Sequence, residues 1–95
     1  MEFRIYTQYF PDLHKTISRR IDSFTLLKGT GYWKGGQEDS AIVIVRVDTA
    51  DAEEYDRIDT VIPRVINDIL VKHNQHAVML TEHDLNWENE MLFTL

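Results

Sequence analysis

The chain has 95 residues, no cysteine and a formal charge of −6 at neutral pH. Such a length holds one domain, residues 1–95, with a single core. The lack of cysteine excludes disulfides, thiolate nucleophiles and cysteine-based zinc sites, and the acidic balance disfavours direct nucleic-acid binding.

The charge is uneven: residues 1–34 carry a net +3 and residues 35–95 a net −9. A local basic patch for a small anion is compatible with the first segment. No apolar run approaches the roughly 20 residues that span a bilayer. The N-terminus lacks a charged region followed by an apolar one, so a cytoplasmic protein with no membrane partner is expected.

Residues 2–10 alternate, with Phe3, Ile5, Thr7 and Tyr9 on one side and Glu2, Arg4, Tyr6 and Gln8 on the other, as a half-buried strand does. Pro11 stops it. Asp12 stands where it would cap a helix running to about Asp22, with Leu13, Ile17 and Ile21 on one face. Residues 24–28 read as a second strand. A turn-rich segment then holds all four glycines (Gly29, Gly31, Gly35, Gly36) together with Trp33 and Lys34. Residues 41–47 are almost continuously β-branched and predict a third strand.

Ile58, Val61, Ile62, Val65, Ile66 and Ile69 recur at helical spacing within residues 48–74. Pro63 lies inside that pattern, which is read as one long, bent helix ended by Asn74; a second helix beginning near residue 59 is the alternative. Residues 76–81 predict a fourth strand. Trp87, Met91, Leu92 and Phe93 make the segment 85–95 too apolar for water, so it is expected to dock as a tail, on its own subunit or a neighbour.

The order β-α-β-β-α-β predicts an α+β, ferredoxin-like sandwich, a four-stranded antiparallel sheet with two helices on one face and the C-terminal tail beside it. In the third strand Ala41, Val43, Val45 and Val47 face the helices, and Ile42 and Ile44 face away. With Tyr6 they form an apolar patch on the uncovered face, which predicts self-association through Tyr6, Ile42 and Ile44.

The run of residues 24–36, followed by Glu38 and the strand AIVIV, resembles the centre of PII-type and CutA-like proteins. The alternating first strand and residues 74–78 resemble small uncharacterised phage proteins with the same core. The resemblance covers residues 3–82 and implies the ferredoxin-like core, a trimer whose sheets pack inward and, from the PII branch, nucleotides in clefts between subunits. The long PII-type loop with its basic cluster is missing, since only residues 35–38 separate Lys34 from Asp39. For a phage protein, the resemblance suggests sequestration of a host signalling nucleotide.

For ligand binding, Gly35 and Gly36 permit backbone N–H groups to converge on an anion, Lys34 adds charge, Tyr32 and Trp33 offer stacking faces, and Arg46 or Arg20 supplies further charge. No serine, histidine and carboxylate are spaced as a catalytic set, and the four histidines do not converge on a metal. The expectation is a non-enzymatic homo-oligomer, a trimer or another symmetric assembly, without cofactor, that binds a small anion or nucleotide between subunits. The alternative is an acidic interaction protein that docks on a basic partner, or mimics nucleic acid, through Asp51, Glu53, Glu54 and Asp56.

Overall fold

The computed structural model describes residues 1–94. Along the chain follow β1 (Glu2–Gln8), α1 (Leu13–Ser18), β2 (Thr25–Trp33), β3 (Gly36–Arg46), α2 (Ala52–Lys72), β4 (Ala77–Asp84) and β5 (Trp87–Thr94). The strands form one sheet in the order β2-β3-β1-β4-β5, and every neighbouring pair is antiparallel. The architecture is therefore α+β, with five strands and two helices. Among the described residues no helix is long and apolar enough to cross a membrane.

The expected sheet of four strands is corrected to five. The C-terminal segment docks on its own subunit as β5, with Leu92 opposite Met79 and Met91 opposite Leu80. Met91 and Phe93 reach back to the core from the helix side. Asn89 in the inward phase and Leu92 in the outward one break the alternation, which is why the segment reads as a tail rather than a strand.

The glycine-rich segment forms a hairpin whose strands run further than residues 24–28 and 41–47, through Trp33 and from Gly36. Only Lys34 and Gly35 turn the chain, and both have positive φ (50° and 78°). This is the two-residue hairpin turn whose twist matches the flanking strands. Gly29 and Gly31 are strand residues opposite Ser40 and Glu38, and Gly36 opens β3. A Cβ on Gly31 would meet Ser40 Oγ, and the serine hydroxyl would have to turn away to admit it.

α1 ends sooner than its apolar spacing suggests, and the Asp12 side chain makes no capping bond. Ile21 lies beyond the helix and is buried nonetheless. α2 is one helix running through Pro63, as expected. The Asp51 carboxylate caps it, accepting from Glu54 N–H at 3.1 Å. Asn74 ends it with a φ of 51°, while Gln75 N–H donates to Leu70 O at 3.0 Å. That pairing is the left-handed helix stop that asparagine tolerates, and it delivers Gln75 to the start of β4.

Both helices cover one face of the sheet, where Phe3, Ile5, Val43, Val45, Val78 and Leu80 meet Leu13, Ile17, Ile62 and Ile66. Phe3 is fully buried and its ring centroid lies 6.4 Å from that of Tyr55. Phe3→Ala leaves a cavity in the central strand and is expected to cost about 3–5 kcal/mol, read as a lowered urea midpoint at unchanged slope.

Candidate functional site

The opposite face of the sheet carries no helix, and the registers arrange its side chains in rows. One row crosses all five strands: Leu27, Ile42, Tyr6, Met79 and Leu92. It is apolar from edge to edge, with Leu27 49% and Leu92 69% exposed. The residues expected to form an interface, Tyr6, Ile42 and Ile44, all lie on this uncovered face.

Beside the apolar row, toward the β2–β3 turn, lies a notch of about 340 Å³ lined by Tyr6, Gln8, Glu38, Ser40, Gln75, Met79 and others. Its polar groups are mostly uncharged. Gln75 Oε1 accepts from Gln8 N–H (3.3 Å) and Thr7 Oγ1 (3.4 Å), and Gln75 Nε2 donates to Gln8 Oε1 (2.9 Å). Amides, a hydroxyl and one carboxylate bordered by Tyr6, Met79 and Leu92 suit a neutral heterocycle with hydroxyls and an apolar substituent.

At the other end of the face the groups are charged and satisfy one another. Glu2 accepts from Arg46 Nε at 2.9 Å and also from Arg4, and His83 lies 2.8 Å from Thr81 Oγ1 and 3.5 Å from Glu88. Arg46, and then Arg4, hold the Glu2 carboxyl below its usual range against the opposing effect of burial. A depressed carboxyl stabilises the fold above its unfolded pKa, and this contribution is lost as pH falls through the folded value. Thermal melts are therefore expected to show a smaller acid-side loss of Tm, below about pH 4.5, for Glu2→Gln than for the native chain. A wider cleft of about 550 Å³ adjoins this network, lined by Met1, Glu2, Arg46, Asp48 and His83 among others.

The residues expected to hold an anion do not converge within one chain. Tyr32, Lys34, Gly35 and Gly36 are at the hairpin tip, while the side chain of Trp33 lies outside the described residues. β3 has 11 residues, which places Arg46 about 33 Å from that tip. Arg20 is on the helix side of the sheet, where its Nε pairs with Asp68 at 2.6 Å. Asp51, Glu53, Glu54 and Asp56 occupy the start of α2; Asp51 caps the helix, and Glu53 and Glu54 sit in its first turn, where acids favour the helix dipole.

His73 belongs to the packing. Its ring stacks on Phe10 (4.4 Å), Nε2 is 3.1 Å from Thr16 Oγ1, and burial lowers its pKa. Sequence reasoning offered Val78 or Met79 for the uncovered face, and the register places Met79 there beside Tyr6; Gln8, Gln75 and Ser40 were not singled out as site residues. Only the outward phase of Gln8 in β1 and the helix stop before Gln75 pointed to them, because isolated amides form no motif.

The whole chain matches two solved structures of one enzyme. A phage SAM lyase in complex with S-methyl-5'-thioadenosine superposes with a TM-score of 0.76 at 13% identity, over 99% of this chain and 88% of the other. Phage SAM lyase in its apo state gives a TM-score of 0.56 with the same identity and coverage. No family model and no curated protein matches the sequence.

These neighbours agree with the resemblance to small phage proteins; membership of the PII-type or CutA-like families is not shown. They overturn the expectation of a non-enzymatic binding module, because the architecture adopted here from end to end is one that an enzyme adopts. The alternative of an acidic interaction protein gains nothing from them. The sequence was searched for a set of charged or nucleophilic side chains, whereas the notch is built mainly from amides and apolar groups, which form no such set.

Proposed function

We propose that this chain cleaves a sulfonium nucleoside of the S-adenosylmethionine (SAM) class, releasing S-methyl-5'-thioadenosine. The observation that carries this reading is the end-to-end likeness to a lyase holding that thionucleoside. The notch supports it chemically. Gln8 and Gln75 suit the edge of a purine, Glu38 suits ribose hydroxyls, and Tyr6, Met79 and Leu92 suit the methylthio group.

Breaking the carbon–sulfur bond without water needs an internal nucleophile: the substrate's own carboxylate oxygen bonds to the γ-carbon and closes a lactone, the carbon–sulfur bond breaks, and its electron pair leaves on sulfur. The leaving group is a neutral thioether, so no acid is needed to protonate it. An apolar wall disfavours the sulfonium cation and tolerates the thioether, and bond breaking therefore relieves rather than creates buried charge. The chain's task is to bind, orient and exclude water.

Water exclusion calls for a roof, and the row from Leu27 to Leu92 is the surface for one. The working assembly is a symmetric homo-oligomer, a trimer in the first instance, with the uncovered faces meeting. The fold reads as a ferredoxin-like core, β1 to β4 with their two helices, extended by β5. Beyond Asp39, whose carbonyl accepts from Tyr9 N–H, the hairpin runs on about 10 Å past the sheet. It is an arm suited to bring Tyr32 and Lys34 to a neighbouring copy.

The test is chromatographic. Purified protein incubated with SAM should convert it to S-methyl-5'-thioadenosine at a rate per chain that falls on dilution below the assembly threshold. Undiminished SAM at concentrations where the oligomer persists would refute the reading.

A further inference from the structure

The hydrogen bonds of the notch fix which way its amides point, and this determines what a ligand must offer there. Gln8 N–H is a backbone group and only donates, so the Gln75 atom that meets it at 3.3 Å is the carbonyl oxygen Oε1. Thr7 Oγ1 donates to the same oxygen. Gln75 Nε2 is then the remaining end, and it donates to Gln8 Oε1 at 2.9 Å. Gln8 Oε1 already accepts one bond, from Gln75, whereas neither hydrogen of the Gln8 NH2 group has a protein partner among the described residues, so the open donors are those of Gln8. The relay starts at a backbone N–H and ends in a pair of outward N–H donors at the wall of the notch.

We infer that Gln8 is a specificity-determining residue that selects ligands presenting a bare hydrogen-bond acceptor, a purine ring nitrogen, and that Gln75 is the positioning residue that sets its polarity. This rests on the reading of the notch as the nucleoside site. An edge bearing a donor at that position meets N–H against N–H and leaves both groups unsatisfied, which is the strongest form of rejection that a hydrogen-bonding site offers. The α2–β4 junction holds the relay in place, because the left-handed Asn74 and the Gln75 N–H to Leu70 bond fix the backbone that carries Gln75.

Gln75→Glu tests the polarity. A carboxylate accepts from Gln8 N–H and Thr7 as before but cannot donate, so Gln8 must turn its NH2 inward and present its oxygen. The probes are S-methyl-5'-thioadenosine and its 1-deaza, 3-deaza and 7-deaza analogues, each lacking one ring acceptor and none carrying a carboxylate. Affinities come from calorimetry, and equal melting temperatures confirm that the variant folds.

In the native chain one of the three analogues should bind at least tenfold more weakly than the parent. In Gln75→Glu the parent should weaken at least tenfold and that discrimination should vanish. If all analogues bind the native chain like the parent, the acceptor claim fails while the nucleoside reading stands. Discrimination that persists in Gln75→Glu disposes of the role given to Gln75. Absence of binding by the parent itself overturns the nucleoside reading, and the inference with it.

Discussion

Met79→Glu is expected to dissolve the assembly and abolish SAM cleavage without unfolding the chain. Met79 stands in β4 between Tyr6 and Leu92, near the middle of the apolar row, on the face that no helix covers. In an isolated subunit a carboxylate there meets water, and the substitution costs little. Between two packed faces it is a buried charge without a partner, which costs several kcal/mol, so the dissociation constant should rise by more than ~10³-fold. Sedimentation should show monomers with a native circular dichroism spectrum. Monomers retaining full activity would separate catalysis from assembly and remove the roof from the account.

Gln8→Ala carries the second large effect. The side chain accepts from Gln75 Nε2 and, in the proposed site, offers its own NH2 to a ligand. Its loss removes the donor that the proposed site offers a ligand and leaves Gln75 Nε2 without its acceptor, while Gln75 Oε1 keeps Gln8 N–H and Thr7, at a cost of about 1–3 kcal/mol. That corresponds to a loss in kcat/KM on the order of tenfold to a hundredfold. Gln8 is on the uncovered face, away from the helix-side core, so Tm should change by no more than a few degrees. Initial rates over a range of SAM concentrations measure this loss, and a variant with native kcat/KM would move the site elsewhere.

The elements that were legible in the sequence are those whose burial is periodic. β1 alternates, the interior of β3 is β-branched, and α2 repeats Ile58, Ile62, Val65, Ile66 and Ile69 on its buried side. Their phase also identified the uncovered face, since Ile42 and Ile44 have no helix to meet. β5 was obscured because Asn89 in the inward phase and Leu92 in the outward one break its alternation; Glu88 and Glu90 face outward on an edge strand, where charge discourages further pairing. The length of the hairpin strands was obscured because Gly29, Gly31 and Gly36 look like turn residues, whereas only Lys34 and Gly35 turn.

The notch was illegible for a different reason. Its residues come from β1, β3, β4, β5 and the α2–β4 junction, and they meet only through strand pairing and the helix stop at Asn74. Nothing in the spacing of Gln8 and Gln75, 67 residues apart, announces that their amides bond. The glycine segment drew attention because phosphate-binding loops are rich in glycine, but here Gly31 is a strand residue opposite Glu38.

The measurement that bears most directly on the account is a native mass spectrum of the protein after incubation with SAM. The account predicts a homo-oligomer carrying the mass of S-methyl-5'-thioadenosine, with SAM consumed in the surrounding solution. A bare monomer, or an assembly still holding intact SAM after prolonged incubation, would contradict it.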